Sequence, residues 1–69
     1  MRTYGKVREL IRIKFKTIDA FAKAMDMSRS ALSRKLNGIT PWSHSEIEKA
    51  CVLLSISISQ VGEYFFYEV

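Results

Sequence analysis

Residues 17 to 38 have the sequence TIDAFAKAMDMSRSALSRKLNG, in which two short amphipathic patterns flank a turn. A favourable N-cap followed by apolar residues at helical spacing predicts a helix over residues 17–25. A second capped pattern predicts a helix over residues 28–36, which ends where an Asn-Gly pair can leave the helical conformation. The connection between them, Asp26-Met27-Ser28, is short enough to impose a sharp angle between the two helices.

The second of these helices has an outward face without acidic residues. Its apolar residues turn inward, which leaves Arg29, Ser30, Ser33 and Arg34 outward, and no Asp or Glu occurs from residue 28 to 38. Arginine can form a bidentate pair of hydrogen bonds with guanine, and a serine hydroxyl suits a base edge or a phosphate. An ordinary solvated helix face, the alternative interpretation, would typically include glutamate. We therefore predict that this face contacts DNA bases in a major groove.

The rest of the chain predicts three more helices around the same core. Val7, Leu10, Ile11 and Phe15 form one apolar stripe of a helix over residues 3–15. A capping box begins a fourth helix at Ser43, and a fifth is expected at about 58–66. The alternation in residues 55–59 is not taken as a strand, because no second strand is available to pair with it. The expected fold is an all-α, compact five-helix bundle formed by a single domain over residues 1–69.

The basic residues of the chain are concentrated in its first half. The net charge is +4 over 69 residues. Residues 1–38 contain ten Lys and Arg against three acids, a net +7, whereas residues 39–69 contain one Lys against four Glu, a net −3. This segregation suggests one face that meets a polyanion, although a solvated basic face without a partner would also explain it. The row Arg8, Arg12 and Lys16 on the first helix has the same two interpretations.

Several classes of protein are excluded by composition. One Cys and one His are too few ligands for a metal centre, and no nucleophile, acid–base pair or phosphate-binding loop indicates an enzyme, a cofactor or a small-molecule ligand. The lone Cys51 is expected to be a buried thiol in a reducing cytoplasm, and no apolar run approaches the length of a membrane span. His44 is expected to be exposed. Trp42 either seals the core or directs its indole N–H to a phosphate, and the core role is favoured.

A group of residues in the central stretch resembles the helix-turn-helix of the phage repressor and Cro-type family. The residues that carry the resemblance are Phe21-Ala22, Met25, Met27-Ser28, Leu32 and Asn37-Gly38. The likeness extends from the first helix to Phe66. It implies a lambda-repressor-like DNA-binding domain, and hence a sequence-specific transcriptional regulator of repressor or Cro type. It places base contacts at Arg29, Ser30 and Arg34, with Ser33 close by.

The resemblance also implies contacts with the DNA backbone. Family members usually begin the first helix of the motif with a Gln that binds a phosphate, whereas this chain has Ile18, so Lys16 or Thr17 is expected to replace that contact. Where the family usually has Gly in the turn, this chain has Asp26. The predicted backbone contacts are Lys16, Thr17, Ser28, Lys35, Asn37 and Gly38.

The chain ends in four consecutive aromatic residues, 64–67, which cannot all face one core. The tail either folds back onto the core or forms a protein contact, for which Tyr64, Phe66 and Tyr67 are the candidates. A single unit contacts only a few base pairs, so we expect a homodimer on a pseudo-palindromic site in double-stranded DNA. The alternative function is a protein-interaction module that keeps this fold and acts through the aromatic segment.

Overall fold

Five α-helices and one 3₁₀ turn form the regular structure of residues 4–66, which are the residues that this computed structural model describes. In chain order they are α1 (Gly5–Phe15), α2 (Ile18–Ala24), α3 (Arg29–Leu36), α4 (His44–Leu54), the 3₁₀ turn (Ile58–Gln60) and α5 (Val61–Phe65). The predicted all-α five-helix fold is confirmed. The fifth helix is the one that differs most from expectation, since its first turn is 3₁₀. Among the residues described, no helix is long and apolar enough to cross a membrane.

Hydroxyl side chains begin the three central helices as the sequence predicts. Thr17 Oγ1 accepts from Ala20 N at the start of α2, and Ser28 Oγ accepts from Ala31 N at the start of α3, each at 3.1 Å. Ser43 and Glu46 form the predicted reciprocal capping box at the start of α4. Each cap satisfies backbone N–H groups that have no partner within the helix, so the helix boundaries are defined by local chemistry.

The connection between α2 and α3 depends on a left-handed residue. Asp26 has φ 61°, which a short polar side chain tolerates better than most. Its N–H donates to Lys23 O, and the N–H of Met27 donates to Ala22 O, both at 3.0 Å. Ala22 is 2% exposed and belongs to the hydrophobic core. Gly38 ends α3 with φ 75°, the conformation predicted for it.

The core draws apolar side chains from every helix. Its fully buried large members are Val7, Ile11, Phe21, Leu32, Leu36, Leu54 and Phe65. Cys51 is buried as predicted, and Ile56 enters the core from the connection after α4. Ile18 packs on the edge of the core, which suits a residue that positions α2 rather than one that contacts a ligand.

An aromatic cluster joins the two ends of the described chain. The Trp42 ring lies 5.2 Å from that of Phe65 and 6.0 Å from that of Tyr4, between ring centroids. Trp42 Nε1 is buried, so the indole belongs to the core and does not face a phosphate. Of the candidate contact residues in the tail, Tyr64 is half-buried and Phe66 is exposed, whereas Tyr67 lies outside the described residues.

Candidate nucleic-acid interface

The outward face of α3 presents the four residues predicted to contact bases. Arg29, Ser30 and Arg34 are exposed, and Ser33 is half-buried beside them. The opposite face is anchored by Leu32 and Leu36, which are at most 1% exposed. Since α3 is held through its apolar side, its polar side is available along the length of the helix. The structure therefore brings the predicted base-contacting residues together on one accessible surface.

Arg29 and Arg34 differ in their surroundings. Arg29 Nε lies 3.6 Å from Asp19 Oδ1 of α2, so its guanidinium is tethered at one edge. Arg34 forms no ion pair within residues 4–66, and the same holds for Lys14, Lys16 and Lys23. Exposed cations without acidic neighbours are the groups that phosphates attract most readily.

Lys35 does not occupy the position predicted for it. The sequence predicts that Lys35 contacts the DNA backbone, but it stands three residues after Leu32 and therefore shares the inner face of the helix. Its side chain is 11% exposed, and Nζ lies 3.0 Å from Glu46 Oε1 and 3.1 Å from Pro41 O. This corrects the prediction: the ammonium of Lys35 ties α3 to the start of α4 and does not face outward.

The carboxylate that receives Lys35 is held in its charged form. The backbone N–H of Ser43 donates to Glu46 Oε1 at 2.8 Å, and this hydrogen bond together with the ammonium of Lys35 lowers the pKa of Glu46 below its ordinary value of 4.5. Partial burial acts in the opposite direction but does not prevail. The ion pair of Lys35 and Glu46 therefore links the C-terminal half of α3 to the first turn of α4.

Arg8 of α1 supports the end of α3. Its Nη2 donates to Leu36 O at 2.9 Å and to Asn37 Oδ1 at 2.6 Å. The last carbonyls of a helix lack partners within it and carry partial negative charge, so a guanidinium is a favourable cap there. The sequence placed Arg8 in a basic row along α1, and no local pattern indicates this contact because 28 residues separate the partners.

The remaining candidates for DNA-backbone contacts are exposed residues at helix ends. Lys16 and Thr17 precede α2, Ser28 precedes α3, and Asn37 and Gly38 follow it. Thr17 and Ser28 also cap their helices through the side-chain oxygen. Lys16 has φ 74° and ψ −46°, an uncommon backbone conformation for a residue with a side chain. This tight end to α1 lets α2 begin only three residues after α1 stops.

A second surface, the α4–α5 groove, is mainly apolar. It is a cavity of about 540 Å³ lined mainly by Ile47, Cys51, Val52, Ile56, Ile58, Val61 and Phe66. Val52 and Ile58 are 79% and 89% exposed, and Phe66 is 51% exposed. Phe66 is one of the residues predicted to contact another protein, whereas Val52 and Ile58 carry no such prediction. The groove is large enough to accept side chains from another molecule.

No metal site accompanies these surfaces in the described part of the chain. Within residues 4–66 no group of three His, Cys, Asp or Glu residues lies close enough to hold an ion. His44 is exposed, and its Nε2 lies 3.4 Å from Glu48 Oε2 one turn along α4. This arrangement is an ordinary surface pair on a helix.

Comparison with known proteins gives a family but no activity. Residues 2–68 match the family described as "Protein of unknown function (DUF739)". No curated protein matches the chain. The description of the family names no ligand, partner or reaction, so the function has to be inferred from the surfaces described above.

Proposed function

This chain belongs to the DUF739 family, and we propose that it is a sequence-specific DNA-binding transcriptional regulator that inserts α3 into a major groove. One observation carries the proposal: α3 is anchored by buried leucines and presents Arg29, Ser30 and Arg34 on an exposed face. No acidic residue occurs from Ser28 to Gly38. An accessible helix with this composition suits the negative potential and the hydrogen-bonding groups of a major groove.

The arrangement of α2 and α3 supports a repressor or Cro-type helix-turn-helix as the mode of binding. A cap at Ser28, a left-handed residue at Asp26 and a close-packed alanine at position 22 are the features expected of that motif. In such a motif the first helix lies across the DNA backbone while the second enters the groove. Here α2 would therefore position α3, consistent with the packing of Ile18 on the core.

The proposed contacts fall into two groups with different consequences. Arg29 and Arg34 each have a guanidinium that can form a bidentate pair with guanine, worth about 1–3 kcal/mol of discrimination against another base. The hydroxyl groups of Ser30 and Ser33 supplement them. Contacts with phosphates from Lys16, Thr17, Ser28, Asn37 and Gly38 would fix the register and add affinity without sequence preference. Lys35 is no longer in this group, because its ammonium pairs with Glu46.

We place a second copy of the chain on the α4–α5 groove. Two units related by a two-fold axis would set their α3 helices about 34 Å apart, as a pseudo-palindromic site requires. The groove lies on the less basic half of the sequence, where two copies repel each other less than their basic halves would. Phe66, one of the predicted contact residues, lines it beside Ile58, and Tyr64 is half-buried nearby in α5.

The same groove favours one other function. A chain that uses this fold as a protein-interaction module would accept a different protein in the groove through Val52, Ile58 and Phe66, and α3 would then be an uninvolved surface. The two functions differ in which substitutions matter. If the chain binds DNA, substitutions at Arg29 and Arg34 should impair DNA binding. If it is an interaction module, substitution of Phe66 should impair binding of the partner protein, and there should be no DNA binding to affect.

Selection of binding sites from a random pool of duplex DNA tests the proposal directly. The full chain should enrich one sequence, and its affinity for that sequence should fall steeply with salt, by about 0.9 in log–log slope for each phosphate contacted. Arg29→Ala and Arg34→Ala should each relax preference at a different base pair. Lys49→Ala removes an exposed lysine from α4 and serves as the matched control. A pool without enrichment, or an affinity that is flat with salt, overturns the proposal.

A further inference from the structure

Asp19 is an acidic residue placed against the surface where acids are otherwise lacking. It lies in the first turn of α2, and its Oδ1 is 3.6 Å from Nε of Arg29, the first residue of α3. The two side chains are 62% and 69% exposed. Of the three acids in residues 1–38, Glu9 pairs with Arg12 on α1 and Asp26 lies in the turn, so Asp19 is the acid that meets the predicted base-contacting face.

The pair stabilises the fold very little. An ion pair between exposed side chains contributes little to stability, because water screens it and both side chains lose freedom in forming it. An acid near phosphates also weakens DNA binding by repulsion. Asp19 also lies in the first turn of α2, where an acid is favourable, but any acid in that turn would serve there. The contact with Arg29 is what links this particular side chain to the predicted base-contacting face.

The geometry indicates what that effect is. A guanidinium has donors on two edges, Nε–H on one side and the two terminal nitrogens at its end. Asp19 lies on the Nε side of the Arg29 guanidinium, and within residues 4–66 Nη1 and Nη2 form no hydrogen bond with another side chain or carbonyl. These terminal nitrogens are the donors that can pair end-on with O6 and N7 of guanine. The ion pair at Nε also favours those rotamers of the long exposed side chain that keep the guanidinium beside α2 before binding.

We propose that Asp19 is a positioning residue that orients Arg29 toward a guanine and so determines preference at one base pair of the DNA site. The inference rests on the proposed function and assigns to α2 a role in specificity. In this role Asp19 does not touch DNA itself, yet the base preferred at one position of the DNA site depends on it. Arg34, which has no such tether in residues 4–66, would select its base without help from α2.

The test compares Asp19→Asn with a matched loss of charge at Asp26→Asn. Both substitutions remove one exposed acid from the basic half, and asparagine tolerates the left-handed backbone at position 26. Site selection and competition binding against single-base variants of the selected site would be measured for both. Asp19→Asn should lower the preference at the Arg29-dependent base pair by about threefold to tenfold and leave other positions unchanged. Asp26→Asn should raise affinity for all sequences alike.

A double-mutant cycle separates positioning from a general charge effect. In the Arg29→Ala background, Asp19→Asn should have no further effect on base preference, because its only route to the base has been removed. The thermal midpoint of Asp19→Asn should stay within about 4 °C of the wild type, as expected for an exposed pair. An unchanged preference in Asp19→Asn, or an equal change in the Arg29→Ala background, overturns the inference while Arg29 still determines its base. A wild type without any enriched site overturns the proposed function as well.

Discussion

Arg8 of α1 donates a hydrogen bond from Nη2 to the carbonyl oxygen of Leu36, the last residue of α3, at 2.9 Å. The same nitrogen reaches Asn37 Oδ1, so one guanidinium holds both the end of α3 and the residue after it. The position of the proposed DNA-contacting helix is thus defined at its C-terminal end by α1. At its N-terminal end it is defined by the Ser28 cap and the turn from α2.

Replacing Arg8 with Met should loosen the end of α3. Methionine keeps the aliphatic part of the side chain but leaves the Leu36 carbonyl without this donor, and we expect a loss of about 1–2 kcal/mol in the free energy of unfolding. Urea denaturation monitored by circular dichroism measures it. Lys14→Met removes an exposed cation of the same helix that forms no ion pair in residues 4–66, and it should leave the midpoint nearly unchanged. Equal midpoints for Arg8→Met and the wild type would contradict this role.

The hydrogen bond from Ser43 N–H to Glu46, together with the ammonium of Lys35, makes stability depend on acidic pH. The pKa of Glu46 is lower in the folded protein than its ordinary value of 4.5, so the unfolded chain binds a proton more readily than the folded one. The contribution of ionised Glu46 to the free energy of unfolding is therefore complete above about pH 5, and it is lost as the pH falls through the lowered pKa. Glu46→Gln should reduce the free energy of unfolding at pH 7, and its difference from the wild type should shrink as the pH falls through the lowered pKa. Parallel curves for the two proteins between pH 7 and pH 3 would contradict the assignment.

The thiol of Cys51 should react slowly in the folded protein. Burial raises its pKa above the ordinary value of 9.0, which lowers the fraction of reactive thiolate at pH 8. Reaction with a disulfide reagent should be slow under native conditions and become fast in urea. Because Cys51 lines the α4–α5 groove, the rate of its reaction also reports whether another molecule covers the groove. If a second copy covers the groove, the native rate should fall as protein concentration rises.

Charged substitutions in the groove should separate the copies without unfolding them. Ile58 is 89% exposed and Phe66 is 51% exposed, so Ile58→Asp or Phe66→Asp leaves the core intact. We expect sedimentation to show a shift from dimer to monomer and the affinity for a palindromic site to fall, while the circular dichroism spectrum stays the same. Ser59→Asp, at an exposed position in the same 3₁₀ turn, is the matched control. A dimer that persists in both groove variants would place the contact elsewhere.

Local patterns predicted the helices and their boundaries well. The caps at Thr17, Ser28 and Ser43 depend on residues three positions apart, and the left-handed turn at Asp26 depends on its own side chain, so short-range chemistry is sufficient for them. The spacing of apolar residues likewise predicted the buried face of each helix. The same periodicity predicts which residues of α3 face outward.

Contacts between helices could not be predicted in this way. Arg8 and Lys35 were both assigned to outward positions, yet each meets a polar group presented by another helix or by the connection after it. Lysine side chains are rarely buried, so sequence reasoning assigns a lysine to the solvent-facing side of a helix unless a buried partner is known. The same holds for Tyr4, because its ring packs against Trp42 and Phe65, which are both far from it in the sequence.

The contacts of Trp42 with Tyr4 and Phe65 have a consequence for the order of folding. The rings of Tyr4 and Phe65 are separated by almost the whole of residues 4–66, so bringing them together carries a large loop-closure cost. Pairing of α2 with α3 is local, so we expect it to form early and docking of α5 to follow. The single tryptophan of the chain lies at that junction, and its fluorescence should report the final step of folding.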